Sequence, residues 1–246
     1  MRSFNEQLQD RSKKRFALLV DPDKYNDRSL NLLIKHINQD PPDLLLVGGS
    51  ILFKPIEITI TALKLGTKLP VFIFPGNVIQ LSDRADGILF LSLISGRNPE
   101  FLIGNHVLAA PHLNRSGIEV IPTGYMLIEN GRSTSVEYMS NTRPIPASKP
   151  EIAVATAMAG EMLGMKTIYL EAGSGAARPV GLDMIRAIRK KTSLPLIVGG
   201  GISTVDGARA VYKAGADLIV IGTALENQPA LVSDFCKLRN EVNGVR

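Results

Sequence analysis

Short apolar runs alternate with helical patterns along nearly the whole of this 246-residue chain, and no other feature limits its fold as strongly. Runs such as Leu218-Ile219-Val220-Ile221 are typical of a parallel strand that is buried on both faces. Strands that alternate with helices indicate one parallel sheet. Eight apolar runs are predicted as strands, at residues 16–20, 44–47, 71–74, 88–91, 118–121, 168–170, 196–198 and 218–221.

Helical patterns follow seven of these strands, at residues 29–38, 56–65, 99–113, 149–163, 181–191, 205–214 and 226–242. The segment 76–86, after the third strand, is too short and irregular for a helix, so a loop or a single turn is expected there. Eight strands, with no G-x-G-x-x-G motif after the first, favour a closed barrel over an open doubly wound sheet. The prediction is an α/β fold, a single (β/α)8 TIM barrel over residues 1–246 with an irregular or missing third helix.

Composition excludes several classes of protein. Hydrophobic residues make up 45% of the chain and charged residues 21%, which is ordinary for a globular protein. The polar start and the lack of any long apolar stretch predict a cytoplasmic protein. Cys236 is the only cysteine, so no intramolecular disulfide is possible and a small packed residue is expected. A net charge of +5 suits anionic ligands, but basic and aromatic residues do not interleave, so no nucleic-acid partner is predicted.

Glycine-rich turns follow the last three strands, in TIYLEAGSGA, PLIVGGGIS and DLIVIGTALE. The carboxyl ends of barrel strands share one mouth, and the turns after strands seven and eight commonly bind phosphate there. Gly200, Gly201, Gly222 and Thr223 fit that role, which predicts a phosphorylated small-molecule ligand. The alternative is that these glycines only close tight turns. Two capping boxes are also predicted here, Ser203 with Asp206 and Thr223 with Glu226.

Two carboxylates lie at the predicted mouth. Glu171 follows an apolar strand and is a candidate base for a hydroxyl nucleophile, with Tyr169 expected on the other side of that strand. Asp21, at the end of the first strand, could hold Mg2+ together with the Ser50 hydroxyl while substrate phosphates complete the shell. The alternative for Asp21 is a capped turn in Asp21-Pro22-Asp23.

Three further groups of residues lie in positions that could serve the mouth. The histidines are scattered on predicted helices, so they are expected as surface or packed residues rather than metal ligands. Arginines in strand-end loops are candidates for clamping phosphate oxygens. The irregular stretch 128–147 is long enough to predict a functional loop. The histidines are His36, His106 and His112, and the arginines are Arg97, Arg143 and Arg178.

The ordered set of motifs resembles the geranylgeranylglyceryl phosphate synthase family over essentially the whole chain. The segments GYMLIENGRSTSVEYMS and YLEAGSGA are most similar to its larger-loop branch, which includes archaeal and Bacteroidetes-type members. The other motifs that carry the resemblance are Val20-Asp21-Pro22-Asp23-Lys24, Val47-Gly48-Gly49-Ser50, Ser95-Gly96-Arg97-Asn98-Pro99, Gly199-Gly200-Gly201-Ile202 and Gly222-Thr223.

The resemblance implies transfer of a geranylgeranyl group from its diphosphate to the C3 hydroxyl of sn-glycerol 1-phosphate, with release of diphosphate. It implies Mg2+ as cofactor, held by Asp21 and Ser50, with Glu171 as the base and Asp21 and Glu171 as the catalytic residues. A homo-oligomer (dimer or hexamer) and peripheral membrane contact are also expected. The residues implied to bind glycerol phosphate are Tyr169, Leu170, Glu171, Ala172, Gly173, Ser174, Gly175, Gly200, Gly201, Gly222 and Thr223.

The sequence leaves several other functions open. Another phosphosugar barrel enzyme, an isomerase or lyase, would use the same phosphate cup without a lipid groove, and a non-catalytic binding protein would not need Glu171. The same reaction with a prenyl donor of different length is a further alternative. A prenyl chain needs an apolar groove, for which the candidates are Phe53, Phe74, Ile79, Leu81, Leu93 and Leu102.

Overall fold

A computed structural model describes residues 3–245, and its eight strands form one closed parallel barrel in chain order. The predicted fold class is confirmed. Strand β5 runs well beyond its predicted end, so Thr123 and Tyr125 lie inside the barrel wall rather than after it. The strands are β1 Arg15–Val20, β2 Leu44–Val47, β3 Val71–Ile73, β4 Gly87–Leu93, β5 Glu119–Leu127, β6 Thr167–Glu171, β7 Leu196–Gly199 and β8 Leu218–Ile221.

Helices surround the barrel, and within the described residues no helix joins β3 to β4, as predicted for the third connection. A π-helical turn at Glu100–Gly104 precedes α4 (Asn105–Ser116). Where one helix was predicted over residues 226–242, Pro229 separates α9 (Thr223–Asn227) from α10 (Leu231–Val242). The helices are α1 Phe4–Gln9, α2 Asp27–Gln39, α3 Ile56–Gly66, α4 Asn105–Ser116, α5 Ser135–Ser140, α6 Pro150–Met162, α7 Leu182–Arg189, α8 Val205–Ala214, α9 Thr223–Asn227 and α10 Leu231–Val242.

Alternate residues of each strand face the barrel interior, as the period of two requires. Leu44, Leu46, Tyr169 and Ile197 belong to this inner cluster, whereas their neighbours pack outward against the helices. Helix α1, which the sequence did not predict, packs Phe4 against Phe72 of β3 at the amino-terminal end of the barrel, with ring centroids 5.2 Å apart and ring planes tilted by 53°. Helix α1 thus covers the barrel interior at its lower end, opposite the carboxyl ends of the strands.

A buried acid also ties the lower end together. Asp217 is 1% exposed and accepts hydrogen bonds from Lys14 Nζ and Arg189 Nη1, each at 2.9 Å, and from the Leu196 N–H at 3.0 Å. Three donors satisfy a carboxylate that would be costly to bury alone. The charges of Asp217, Lys14 and Arg189 are thus committed to structure.

The cysteine and the helices bear on two expectations from composition. Cys236 is buried on α10 with its Sγ 3.3 Å from the Asp40 carbonyl oxygen, which confirms its role as a small packed residue. Within residues 3–245 we find no helix with the length and apolar character needed to cross a membrane.

Candidate functional site

A cavity of about 510 Å3 opens at the carboxyl ends of the strands. One end is polar and is formed by the turns after β1, β2, β6, β7 and β8. The other end is apolar and extends past β4 toward α4. This is the face of the barrel at which the sequence predicted a ligand site.

The turn after β7 brings backbone N–H groups to the polar end. Gly200 and Gly201 have φ values of +78° and +67°, which side chains with a Cβ rarely adopt. A Cβ on Gly200 would lie 2.7 Å from the Gly173 nitrogen, and one on Gly201 would overlap the Arg178 carbonyl. Within residues 3–245 neither glycine N–H donates to another protein group. Both are thus available to an anion in the cavity.

Hydroxyl groups from the neighbouring turns complete this cup. Ser174, Ser203 and Thr223 all line the cavity. Both predicted capping boxes are wrong: Thr204, not Ser203, caps α8, and Thr223 lies inside α9 after Gly222. Each helix begins one position away from the predicted cap, so the Ser203 and Thr223 hydroxyls are not engaged by capping.

Glu171 ends β6 at the inner edge of the cup, where it is 6% exposed. Its Oε1 accepts a hydrogen bond from the Gly173 N–H at 2.7 Å. Burial raises the pKa of Glu171 to about 7, although this N–H and the nearby Tyr169 hydroxyl oppose the rise. A carboxyl group with a pKa near 7 is suited to exchange a proton at neutral pH.

Tyr169 shares the inner face with Glu171, so the expectation that it lies on the other side is wrong. Residues two apart in a strand point the same way. Its ring stacks between Phe74 and Tyr125, with centroid distances of 5.1 Å and 5.3 Å. In the described part of the chain its buried hydroxyl forms no hydrogen bond of good geometry, so it is close to Glu171 but not aligned with it. The three rings form the floor of the cavity.

Asp21 lies across the cavity from Glu171, on the turn after β1. Its Oδ1 accepts the Asp23 N–H at 2.9 Å, so the capped-turn alternative also applies. Its Oδ2 is near the β2 turn, 3.4 Å from where a Cβ on Gly49 would lie, and Ser50 lines the same wall. Burial raises the pKa of Asp21.

The donors at this wall suit a hard cation that takes most of its ligands from elsewhere. Among residues 3–245 no group of three His, Cys, Asp or Glu side chains could hold a metal ion. Mg2+ commonly binds proteins through one or two carboxylates and completes its shell with water and substrate phosphates. Asp21 Oδ2, the Ser50 hydroxyl and the half-buried Glu226 carboxylate fit that pattern.

The apolar end exists because residues 74–86, which connect β3 to β4, form no helix. Ile88 and Phe90, which lie on the outer face of β4, would be covered by a helix in a regular barrel. Here they line the cavity together with Phe101 of the π-helical turn and Ala109 of α4. His106 closes the wall: its ring lies edge-on to Phe90 at 4.5 Å, and its Nε2 is 3.0 Å from Ser92 Oγ.

Comparison with known proteins places the chain in a family. A family model for the PcrB family matches residues 9–238. The geranylgeranylglyceryl phosphate synthase of Flavobacterium johnsoniae is 54% identical over 215 residues, covering 87% of this chain and 88% of the relative. That of Thermococcus kodakarensis is 42% identical over 239 residues, covering 96% and 94%.

A solved structure agrees with these relatives. The crystal structure of (S)-3-O-geranylgeranylglyceryl phosphate synthase from Thermoplasma acidophilum, in complex with sn-glycerol-1-phosphate, matches with a TM-score of 0.90 at 31% identity. The match covers 98% of each chain. The chain belongs to the PcrB family. The resemblance to geranylgeranylglyceryl phosphate synthases that the motifs predicted is therefore confirmed.

Most of the residues predicted for this PcrB-family site face one cavity, but some do not. Leu170 and Ala172 point away and pack in the layer between the barrel and its helices, because they alternate with Tyr169 and Glu171. The N–H of Gly173 is occupied by Glu171. Those that line the cavity are Asp21, Ser50, Tyr169, Glu171, Ser174, Gly175, Gly200, Gly201, Gly222 and Thr223.

Half of the predicted groove residues are misplaced. Phe74, Leu81 and Leu93 line the cavity. Phe53 and Ile79 were predicted wrongly, because they are 92% and 82% exposed at its rim. Leu102, on the π-helical turn, does not line the cavity in the part of the chain described.

The arginines and the long loop also differ from expectation. None of Arg97, Arg143 and Arg178 lines the cavity within residues 3–245, and Arg97 donates to its neighbouring Gly96 carbonyl at 2.7 Å. The stretch 128–147 is not irregular throughout, since it contains α5, whose N-cap Thr134 forms a capping box. Ser135 and Val136 of that helix line the cavity.

Lys24, Glu226 and Asn227 also line the polar end. The sequence indicated Lys24 at the end of the first strand without a role, and it did not indicate Asn227. Glu226 was assigned only to a cap. It lines the cavity from α9, a separate short helix that directly follows β8.

Proposed function

We propose that this protein transfers a geranylgeranyl group from geranylgeranyl diphosphate to the C3 hydroxyl of sn-glycerol 1-phosphate, forming an ether and releasing diphosphate. The observation that carries this proposal is the continuity of the cavity, which joins an anion cup with a basic carboxylate to a long apolar arm. An isomerase or lyase of small phosphosugars has no use for the apolar arm. The 42–54% identity to relatives named for this reaction supports the same conclusion.

Glycerol phosphate binds in the cup. Its phosphate accepts hydrogen bonds from the N–H groups of Gly200 and Gly201 and from the hydroxyls of Ser174 and Thr223. This leaves the C3 hydroxyl directed toward Glu171, which takes its proton as the oxygen attacks the allylic carbon. The transfer forms one carbon–oxygen bond and breaks the bond to the diphosphate, and the proton remains on Glu171.

The diphosphate binds at the opposite wall, beside Asp21, Ser50 and Lys24. Asp21 and Ser50 would hold Mg2+, with Glu226 near enough to share its charge, and the ion would neutralise the departing diphosphate. Lys24 supplies a fixed positive charge at the same wall. The prenyl chain lies along Ile88, Phe90 and Phe101 in the apolar arm, which keeps the reacting carbon away from water.

Product formation tests the whole proposal. Purified protein is incubated with labelled sn-glycerol 1-phosphate, Mg2+ and a ladder of prenyl diphosphates of increasing length, and the ether product is measured. We expect the twenty-carbon donor to react fastest. No product with any donor, despite binding of glycerol phosphate, would exclude prenyl transfer and favour another phosphate-barrel activity or a binding role.

Asp21→Asn tests the proposed metal site. Loss of one carboxylate charge is expected to lower kcat/KM for the prenyl diphosphate by about 10²-fold and to raise the Mg2+ concentration needed for half-maximal rate. Binding of glycerol phosphate, measured by calorimetry without metal, should be unchanged because the cup is separate. Asp183→Asn is the matched control, since Asp183 is an exposed aspartate on α7. An unchanged Mg2+ dependence in Asp21→Asn would contradict the assignment.

We also propose that the protein is cytoplasmic and forms a dimer or hexamer. Apolar side chains on α4 and at the end of α6 support an oligomer, because Val107, Leu108, Met162 and the C-cap residue Leu163 are 63–80% exposed. Buried contact with a second copy would remove that surface from water. Light scattering of the purified protein measures the number of subunits.

A further inference from the structure

A buried tyrosine hydroxyl near the mouth of the barrel lacks a hydrogen-bond partner. Tyr25 follows the short turn Pro22–Lys24 after β1, which Asp21 caps, and it is 6% exposed. Within residues 3–245 its buried hydroxyl forms no hydrogen bond. A buried polar group without a partner lowers the stability of the fold, so its presence in a folded protein requires an explanation.

Tyr212, on α8, shows the usual arrangement for a buried tyrosine. It is buried to a similar degree, and its hydroxyl donates to the Arg15 carbonyl at 2.8 Å. The phenol of a buried tyrosine commonly finds such an acceptor. Tyr25 differs from Tyr212 in this respect, although the two side chains are chemically identical.

Contacts with the loop after β2 hold Tyr25 in place. Lys54 Nζ donates to the Tyr25 carbonyl at 2.6 Å. The same loop is tied to the β1 turn, because the Asp23 carboxylate accepts the N–H groups of Phe53 and Lys54 at 2.8 Å and 2.9 Å. The Tyr25 side chain packs in the layer between the barrel and its helices, behind the wall of the cavity. Its unpaired hydroxyl is thus held at a fixed place.

Two carboxylates lie near this hydroxyl. Burial raises the pKa of Tyr25, and the negative charges of Glu226 and Asp21 raise it further. Asp21 Oδ1 already accepts the Asp23 N–H at 2.9 Å. The Glu226 carboxylate, in contrast, accepts no hydrogen bond from the described residues. A donor without an acceptor thus lies near an acceptor without a donor.

Glu226 and Asp21 line the polar end of the same cavity. Burial raises the pKa of Glu226, and the Asp21 charge raises it further. Two such carboxylates repel each other, and a cation between them removes that repulsion. The Glu226 side chain therefore needs a donor to hold it in the direction of a cation beside Asp21.

We propose that Tyr25 is a positioning residue for Glu226: its hydroxyl donates a hydrogen bond to the Glu226 carboxylate and directs that carboxylate toward the cation held by Asp21. The inference rests on the proposed function for the presence of Mg2+ at this wall. Residues that hydrogen-bond a metal-binding side chain commonly contribute about 10- to 100-fold to metal affinity. This contribution accounts for a hydroxyl kept at a place where it lowers stability.

Tyr25→Phe removes the hydroxyl and keeps the ring. Binding of Mg2+ together with inorganic diphosphate is measured by calorimetry, without prenyl donor or glycerol phosphate, and thermal unfolding is measured without metal. We expect the Mg2+ affinity to fall by about tenfold or more. The Tm should stay the same or rise, because the variant loses no hydrogen bond that the structure contains. An unchanged Mg2+ affinity would overturn the proposal, whatever the Tm.

Tyr212→Phe is the matched control. It removes a similarly buried hydroxyl that does have a partner, so we expect the Tm to fall and the Mg2+ affinity to stay unchanged. A similar loss of Mg2+ affinity in both variants would trace the effect to general damage of the fold. That result would overturn the role assigned to Tyr25.

Glu226→Ala tests whether Tyr25 acts through Glu226. If it does, the double variant Tyr25→Phe/Glu226→Ala binds Mg2+ no more weakly than Glu226→Ala alone. Losses of affinity that multiply in the double variant would show that the two residues act independently and would overturn the proposal. Failure of the unmodified protein to bind Mg2+ with diphosphate would overturn it as well. Missing ether product, with these binding results intact, would count against prenyl transfer alone.

Discussion

Glu171→Gln is expected to lower kcat by about 10²- to 10⁴-fold, the usual contribution of a positioned general base. Glutamine keeps the shape and can still accept the Gly173 N–H, but it cannot take the proton from the C3 hydroxyl. In the unmodified protein kcat/KM for glycerol phosphate should rise with pH through about 7, where Glu171 ionises. Single-turnover rates across pH 5–9 measure both effects.

The same variant should be more stable than the unmodified protein at alkaline pH. Burial raises the pKa of Glu171 from 4.5 to about 7, so the folded state binds the proton more tightly than the unfolded state. Stability from this group is fully present below pH 4.5 and is lost as pH rises through 7. The loss is about 3 kcal/mol above pH 7, and glutamine does not incur it.

Calorimetry at pH 5 and pH 8 tests whether Glu171→Gln raises stability at the higher pH. Glu161→Gln is the control. Hydrogen bonds from Ser193 and Thr192 lower the pKa of Glu161, so its removal should destabilise the protein at pH 8 while leaving the rate unchanged. A Glu171→Gln protein with full activity would remove this residue from the reaction. Equal gains in Tm at both pH values would show that ionisation is not the cause.

Gly200→Ala is expected to weaken glycerol phosphate binding by at least about tenfold and to destabilise the fold by more than about 1 kcal/mol. The added Cβ would overlap the Glu171 carboxylate and lie 2.8 Å from the Gly173 carbonyl oxygen. The turn must therefore move, and the N–H groups of the cup move with it. Calorimetric titration with glycerol phosphate and thermal unfolding measure the two effects.

Gly164→Ala separates backbone strain from damage to the cup. Gly164 also has a positive φ, +87°, but a Cβ there would meet nothing within 4 Å. It should lose about 1 kcal/mol of stability and keep its affinity for glycerol phosphate. If both variants bind glycerol phosphate equally well, the β7 turn does not form the phosphate cup.

Local sequence patterns predicted the strands that are fully buried and the helices whose stability is mainly local. The limits of β2, β8 and α8 were predicted without error, because apolar runs between turn residues leave little freedom to shift the ends of buried strands. Helices α1 and α5 were not predicted. Each has six residues, too few to be stable alone, and depends on contacts with distant parts of the chain such as Glu119 beneath α1.

The features of the site also fall into two groups, those that the sequence determined and those that only the tertiary structure decided. The sequence by itself determined the barrel, the glycine turns, Glu171 and Asp21, because each follows an apolar strand whose end must lie at the shared mouth. Only the tertiary structure decided that Tyr169 joins Glu171 on one face, that Glu226 approaches Asp21, and that Phe53 leaves the groove for the rim. The apolar arm draws on both. The sequence predicted that no regular helix connects β3 to β4, but only the tertiary structure decided that the outer face of β4 and the facing side of α4 line the opening that this leaves.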